Sequence, residues 1–235
     1  MSGVLEGKVA VVTGANGNVG QAVSRLFAAE GAQVVLVGRN EADVQSLATE
    51  LKGIAVMADV TDLDSVETAV QKILLEAGQM DILVHTVGGF AMGKPVHESG
   101  LDVWDKMMTL NARSLYITAG RVARYMVENN IQGKIVGILA RNANKSTAKS
   151  AAYSASKAAA QRIIESMALE LRGLGINVNA VVPGTIDTPQ NREAMPQADF
   201  TKWVQPEEIA QAILFLASPN ATAISGVSLE IFGRT

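Results

Sequence analysis

The sequence predicts a doubly wound α/β fold, one parallel sheet with helices on both faces, and three observations carry that prediction. Short β-branched apolar runs alternate with amphipathic helical stretches down the chain. A glycine-rich turn stands between the first strand and the first helix. No repeat of fixed period, low-complexity tract or Pro/Ser-rich linker interrupts the order, so residues 1–235 read as one domain.

Strands are expected at Val9–Val12, Val34–Val37, Ile54–Met57, Ile82–Val84, Ile135–Leu139 and Val178–Val182, each a short apolar run. Runs that are apolar throughout suit parallel strands covered on both faces. Between and after them, Gln21–Glu30, Ala42–Leu51, Ser65–Glu76, Leu115–Glu128 and Ala158–Leu171 place apolar residues at helical spacing. The stretch from Pro183 to Gln205 lacks strong periodicity, holds Pro183, Pro189 and Pro196, and ends where Pro206-Glu207-Glu208 opens another helix. A loop of that length late in such a fold reads as a substrate lid, at about 184–205.

Composition narrows the function. With 48% hydrophobic residues in a chain of 235, there is ample material for a core. The net charge is −3 and no basic run is interleaved with aromatics, which argues against nucleic acid and leaves a small molecule as the expected partner. No apolar run approaches the ~20 residues that span a bilayer. The start of the chain lacks the pattern of a signal peptide, so no membrane association is expected and a cytoplasmic location is the default. The absence of cysteine excludes disulfides, thiolate nucleophiles and cysteine-bound metal. His85 and His97 have no ligand spacing, and no metal site is expected.

The turn Thr13-Gly14-Ala15-Asn16-Gly17-Asn18-Val19-Gly20 lets backbone approach a pyrophosphate whose charge meets the free N–H groups of the following helix. The second strand ends in Gly38-Arg39-Asn40, without the carboxylate that holds a ribose 2′-hydroxyl. Arg39 offers a planar charged fork for a 2′-phosphate, which points to NADP(H), with NAD(H) as the alternative.

Further along stands Tyr153-Ser154-Ala155-Ser156-Lys157. Hydride reduction of a carbonyl or imine needs a proton for the developing anion, and a tyrosine can give it if a cation favours the phenolate. Lys157, four residues on along a helix, shares the face of Tyr153. Together with the glycine turn, Asn111 and Pro183-Gly184, this pair resembles the short-chain dehydrogenase/reductase family over essentially the whole chain. The resemblance implies a Rossmann-type domain with a mostly parallel seven-stranded sheet, and a homodimer or homotetramer packed through Leu115–Glu128 and Ala158–Leu171. It also implies that Asp59 and Val60 line the adenine pocket and that Thr86, Val87 and Gly88 follow the cofactor. Pro183, Gly184, Ile186 and Thr188 would flank the nicotinamide. Asn111, which opens a helix after Leu110 and reads equally as an N-cap, would anchor a water on the Lys157 proton path.

Three positions depart from the family pattern. Asn18 replaces a glycine of its main branch, leaving the TGxxGxxG spacing of Gly14, Gly17 and Gly20. His85-Thr86-Val87-Gly88 replaces Asn-Asn-Ala-Gly, so a strand-bracing asparagine is missing. The serine expected thirteen residues before Tyr153 is Ala140. Val87–Phe90 and Thr185–Trp203 are similar to the dihydropteridine reductases, which also lack that serine. Phe90, Met92, Met195 and Trp203 are candidates for pocket walls or for packing, and Arg141 and Arg192 read as surface or interface arginines.

The expected function is therefore an NADP(H)-dependent reductase of an activated acceptor: a quinonoid pterin, a quinone or an electron-poor carbonyl. Two alternatives stand beside it. One is an ordinary ketoreductase or alcohol dehydrogenase in which Ser146 or Ser150 supplies the hydroxyl, and the other a catalytically degenerate NADP-binding sensor or partner protein.

Overall fold

In the computed structural model, which describes residues 3–235, seven strands form one sheet in the order β3-β2-β1-β4-β5-β6-β7. They are β1 Val9–Thr13, β2 Gln33–Gly38, β3 Ile54–Met57, β4 Ile82–His85, β5 Lys134–Ile138, β6 Asn177–Pro183 and β7 Ser228–Ile231. Every pairing is parallel, in line with the expected seven-stranded parallel sheet. Helices are α1 Asn18–Ala29, α2 Glu41–Leu51, α3 Leu63–Ala77, α4 Leu101–Met107, α5 Ser114–Glu128, α6 Ala151–Leu171, α7 Pro189–Ala194 and α8 Pro206–Ala217.

Alternate residues of each strand point to opposite cores. Val9 and Val11 of β1 join Val66 and Ile73 of α3, Leu115 of α5 and Ile164 of α6 on one face. Ala10 and Val12 join Phe27 of α1, Leu47 of α2 and Ile213 of α8 on the other. Local chemistry sets the helix ends. Asn40 caps α2 through the Asp43 N–H, Asp62 caps α3 through that of Ser65, and Gly78 ends α3 at φ 79°. Gln205 and Glu208 form a reciprocal capping box around Pro206 at the start of α8.

Three stretches differ from the sequence expectation. Helix α6 begins at Ala151, seven residues ahead of the expected Ala158, because the Ser/Ala-rich segment before it has little amphipathic period. The 183–205 stretch is not structureless: it contains α7 and a single 3₁₀ turn at Phe200–Lys202. Between α4 and α5 the chain winds as a π-helix over Met108–Arg113, so Asn111 lies inside a continuous helical path and is not an N-cap. Among the described residues no helix is long and apolar enough to cross a membrane.

Glycine at position 20 lets α1 approach the end of β1. A Cβ there would overlap the Gly14 carbonyl and lie 2.9 Å from Ala15 Cα, both backbone atoms that cannot swing away. Gly20→Ala should therefore cost about 1–3 kcal/mol of stability, read as a lower urea midpoint at unchanged slope.

Candidate active site

The strand order reverses between β1 and β4, and a groove opens there at the carboxyl ends of β1, β2 and β4. Its lining includes Gly14, Asn16, Gly17, Arg39, Asp59, Val60, Thr86, Val87 and Gly88, all expected from the sequence. Gly14 adopts φ 69°, and the Thr86 hydroxyl donates to the Thr13 carbonyl at 2.7 Å, with the Gly14 carbonyl 3.2 Å away. Gly17 is the N-cap of α1 and gives it no side-chain cap, so the N–H groups of the first helical turn remain available to an anion. Asn18, Val19 and Gly20 form that first turn, where the sequence had suggested that the helix begins near Gln21. A close backbone approach beside an uncapped helix start fits the pyrophosphate of a dinucleotide.

At the end of β2, a Cβ on Gly38 would lie 2.7 Å from Val44 Cγ2 and 3.3 Å from Asn16 Oδ1. A carboxylate at that position would need Val44 to move. Arg39 is exposed on the groove wall. Asp59 accepts from Thr61 N–H at 2.9 Å and Thr61 Oγ1 at 2.7 Å, and these bonds, helped by the Arg39 charge, hold its carboxyl below the usual range.

The early start of α6 places Tyr153 and Lys157 in its first two turns, both buried. Burial pushes the Tyr153 phenol up to about 12 and pulls the Lys157 ammonium down to about 8. The expected lowering of the tyrosine by the lysine is not seen; desolvation sets the direction. Lys157 Nζ donates to the Ile138 carbonyl at 2.9 Å. A Cβ on Gly88 would lie 3.1 Å from Lys157 Nζ and 2.9 Å from Asn111 Oδ1, so Gly88 is what lets β4's end close on both. Asn111 Oδ1 accepts from Gly89 N–H at 2.8 Å, while Nδ2 donates to Gly89 O at 3.0 Å and Ser156 Oγ at 2.9 Å. The ring of Phe90 meets that of Tyr153 edge-on at 4.9 Å between centroids. Beyond Phe90, a largely apolar hollow of about 410 Å³ is lined by Met92, Val96, Leu101, Val103 and Trp104 against Ala151 and Ala152.

Gly184 N–H donates to Ile231 O at 2.8 Å, which ties the end of β6 to β7, and Ile186 bridges to Val204. Thr188 caps α7 through the Asn191 N–H. Trp203 is buried and packs on Phe200, centroids 4.8 Å apart, so it belongs to the core and not to a pocket wall. Arg192 pairs with Asp187 at 2.6 and 2.7 Å, and that bond, with a second from Gln205, holds the Asp187 carboxyl down at about 2. Arg141 stacks over Phe232 at 3.9 Å and donates to the Thr235 carbonyl. The hydroxyls of Ser146 and Ser150 contact Ser154 at 2.9 and 3.0 Å.

Sequence reasoning missed Val37, Gly38, Ala58, Thr61 and Leu110 in the groove, and the double bonding of His85. Strand-end positions gave the only signal for the first of these. The family pattern marked His85 as standing where an asparagine is usual, but not the groups it would bond.

The chain matches the family model described as enoyl-(acyl carrier protein) reductase over residues 14–232. It is 32% identical to 3-oxoacyl-[acyl-carrier-protein] reductase FabG of Thermotoga maritima, covering 97% of this chain and 98% of that one. D-threitol dehydrogenase of Mycolicibacterium smegmatis is also 32% identical, with 97% and 93% covered. A solved 3-ketoacyl-(acyl-carrier-protein) reductase from Brucella melitensis, complexed with NADH, superposes with a TM-score of 0.88 at 30% identity, with 98% and 99% covered. Likeness of this extent, in sequence and in fold, establishes that the chain belongs to the short-chain dehydrogenase/reductase family and is an NAD(P)-dependent oxidoreductase.

Proposed function

We propose that the protein is an NADP(H)-dependent reductase that works without the family's serine hydroxyl and acts on an activated acceptor, a quinonoid pterin, a quinone or an electron-poor carbonyl. The observation that carries this reading is Ala140, a methyl two residues past the end of β5 where the family pattern has its serine, in a chain that keeps Tyr153, Lys157 and Asn111. Segment 185–203, with its likeness to the dihydropteridine reductases, supports the same acceptor class. The tight Gly38 position and exposed Arg39 favour a 2′-phosphate over a free 2′-hydroxyl.

The dinucleotide supplies the hydride. In this reading Tyr153 holds the proton at its phenol oxygen through neutral pH, since burial keeps it in the acid form. Lys157, anchored on Ile138, supplies positive charge near it, and Asn111 fixes the Gly88-Gly89 backbone against which the nicotinamide would lie. The apolar hollow beyond Phe90 suits a flat, poorly hydrated acceptor. Residues 184–205 serve as the lid. A homodimer or homotetramer packed through α5 and α6 accounts for the exposed Tyr116 and Leu169.

The names of the FabG relatives favour a second reading, reduction of a 3-oxoacyl thioester. It needs a donor in place of the serine, yet the Ser146 and Ser150 hydroxyls are engaged with Ser154. A sensor without catalysis has no use for the buried Lys157.

Turnover of NADPH with a quinone, a quinonoid pterin, a 3-oxoacyl thioester and a plain ketone tests these readings. The natural chain should reduce the activated acceptors best, and Ala140→Ser should raise kcat/KM on the plain ketone, since one such donor is worth about 2.7–4 kcal/mol where charge localises on oxygen. Equal rates on ketone and quinone in the natural chain would overturn the proposal. NADPH should bind at least about tenfold more tightly than NADH, from a charge-assisted contact of about 1.5–3 kcal/mol, and Arg39→Asp should reverse the order in titrations. Tyr153→Phe should lower kcat about 10²–10⁴-fold with nucleotide affinity little changed. Finally, kcat/KM for NADPH should fall as pH rises through about 8, where the Lys157 ammonium loses its proton. A flat profile there would show that its charge is not used.

A further inference from the structure

We propose that His85 is a positioning residue, a neutral imidazole protonated at Nε2 that pins the π-helical run Met108–Arg113 to the end of β1 and so sets where Asn111 stands. The proposal rests on the reading of Asn111 as part of the proton relay beside Tyr153 and Lys157, and it concerns a side chain that the hydride chemistry itself does not use.

The imidazole is buried between two hydroxyls, Thr13 Oγ1 at 3.0 Å from Nδ1 and Ser114 Oγ at 3.1 Å from Nε2. Either contact alone leaves the ring proton unassigned. Ser114 decides it. Its hydroxyl also lies 2.7 Å from the Leu110 carbonyl, which can only accept, and a hydroxyl has a single hydrogen to give. Ser114 Oγ therefore accepts from His85, Nε2 carries the hydrogen, and Nδ1 is left bare to accept from Thr13. Donation runs in one direction, from Thr13 on β1 through His85 on β4 to Ser114 and then Leu110.

Both ends of that line border the nucleotide groove. Thr13 directly precedes Gly14, and Leu110 lines the groove and directly precedes Asn111. Leu110 Cδ1 also lies 2.9 Å from where a Cβ on Gly89 would sit, and Gly89 is the residue Asn111 holds through two bonds. A shift of the π-helical run would move all three. Such a run inside an α-helical path is a local irregularity common at functional sites, and here a side chain from the sheet fixes it.

The brace must also remain uncharged. Burial, with the Lys157 charge adding to it, pulls the imidazole down to about 3. Thr13 on β1 and Ser114 on α5 are neutral, and Lys157 on α6 is the charged group whose field reaches the ring. The imidazole thus braces the groove without placing a second cation near Lys157.

Nitrogen-15 NMR of histidine-labelled protein tests the tautomer on the intact chain, with no substitution and no turnover. The His85 ring should show a protonated Nε2 and a bare Nδ1 at about pH 5 and about pH 8 alike. The opposite tautomer, or a doubly protonated ring at the lower pH, would overturn the proposal. Ser114→Ala, His85→Asn and the double variant test the positioning. Each should shift the Asn111 side-chain amide resonances and lower kcat about tenfold to a hundredfold, with KM for NADPH little changed. Turnover is read with a naphthoquinone or an acetoacetyl thioester, whichever is faster. The double variant should be no worse than the weaker single by more than about threefold, since one line of bonds is broken once. Unmoved Asn111 resonances, or losses that multiply, would overturn the brace. Moved resonances at full turnover would keep the brace and overturn the relay reading beneath it.

Discussion

The site depends on β1 and β4 lying side by side while the chain leaves them toward opposite faces of the sheet. That reversal opens the groove, and it does so only because backbone meets backbone at the strand ends. Gly14 turns at positive φ, and Thr86 ties its hydroxyl to the Thr13 carbonyl at the end of β1. Gly20 lets α1 begin almost on top of the turn, and its uncapped first residues face the space where phosphates would sit. On the far side Gly88 makes the same allowance for Lys157 and Asn111. Glycines at 14, 20 and 88 leave the room that these close approaches need.

Polar groups buried around this junction are paired without surplus charge. Thr13, His85 and Ser114 form one line, and Asn111 and Ser156 another that continues to the Tyr153 carbonyl. Lys157 is the one strongly desolvated cation among them, held by a carbonyl and not by a carboxylate. A carboxylate partner would neutralise the ammonium. A carbonyl leaves its charge uncompensated, and burial loosens its proton, pulling Lys157 down to about 8.

How much of this was legible in the sequence follows from the length scale of each signal. The first three strands and α2 were readable because Val34–Val37 or Ala42–Leu51 carries its pattern within itself, and the groove-lining residues follow once the strand ends are fixed. Strand β7 was not readable. Ser228–Ile231 is short, half-buried and carries Glu230, and it becomes a strand only by pairing with β6. The start of α6 was placed late because Ala151–Ala160 is small and polar, so its burial leaves no apolar stripe to see. The π-helical run has no local signature, and the departure at His85 from the family's asparagine did not say which groups it would bond. They are tertiary facts, made by Thr13 and Ser114 arriving from 72 and 29 residues away.

The same distinction bears on the proposed lid. Residues 184–205 are braced mostly within themselves: Asp187 holds Arg192 and Gln205, Arg192 stacks at 4.9 Å over Phe200, and the backbones of Thr185 and Asp187 pair with Val204. Toward the opposite wall of the groove the segment reaches with Gln190, which accepts from Asn18 Nδ2 at 3.1 Å. That contact is exposed and neutral, worth about 0.5–1.5 kcal/mol at most. In the proposed lid role, an amide at position 18, where the family's main branch carries glycine, would give the flap a resting place without locking it. The greater part of any closing energy would then have to come from what lies beneath, so closure would report on occupancy of the groove.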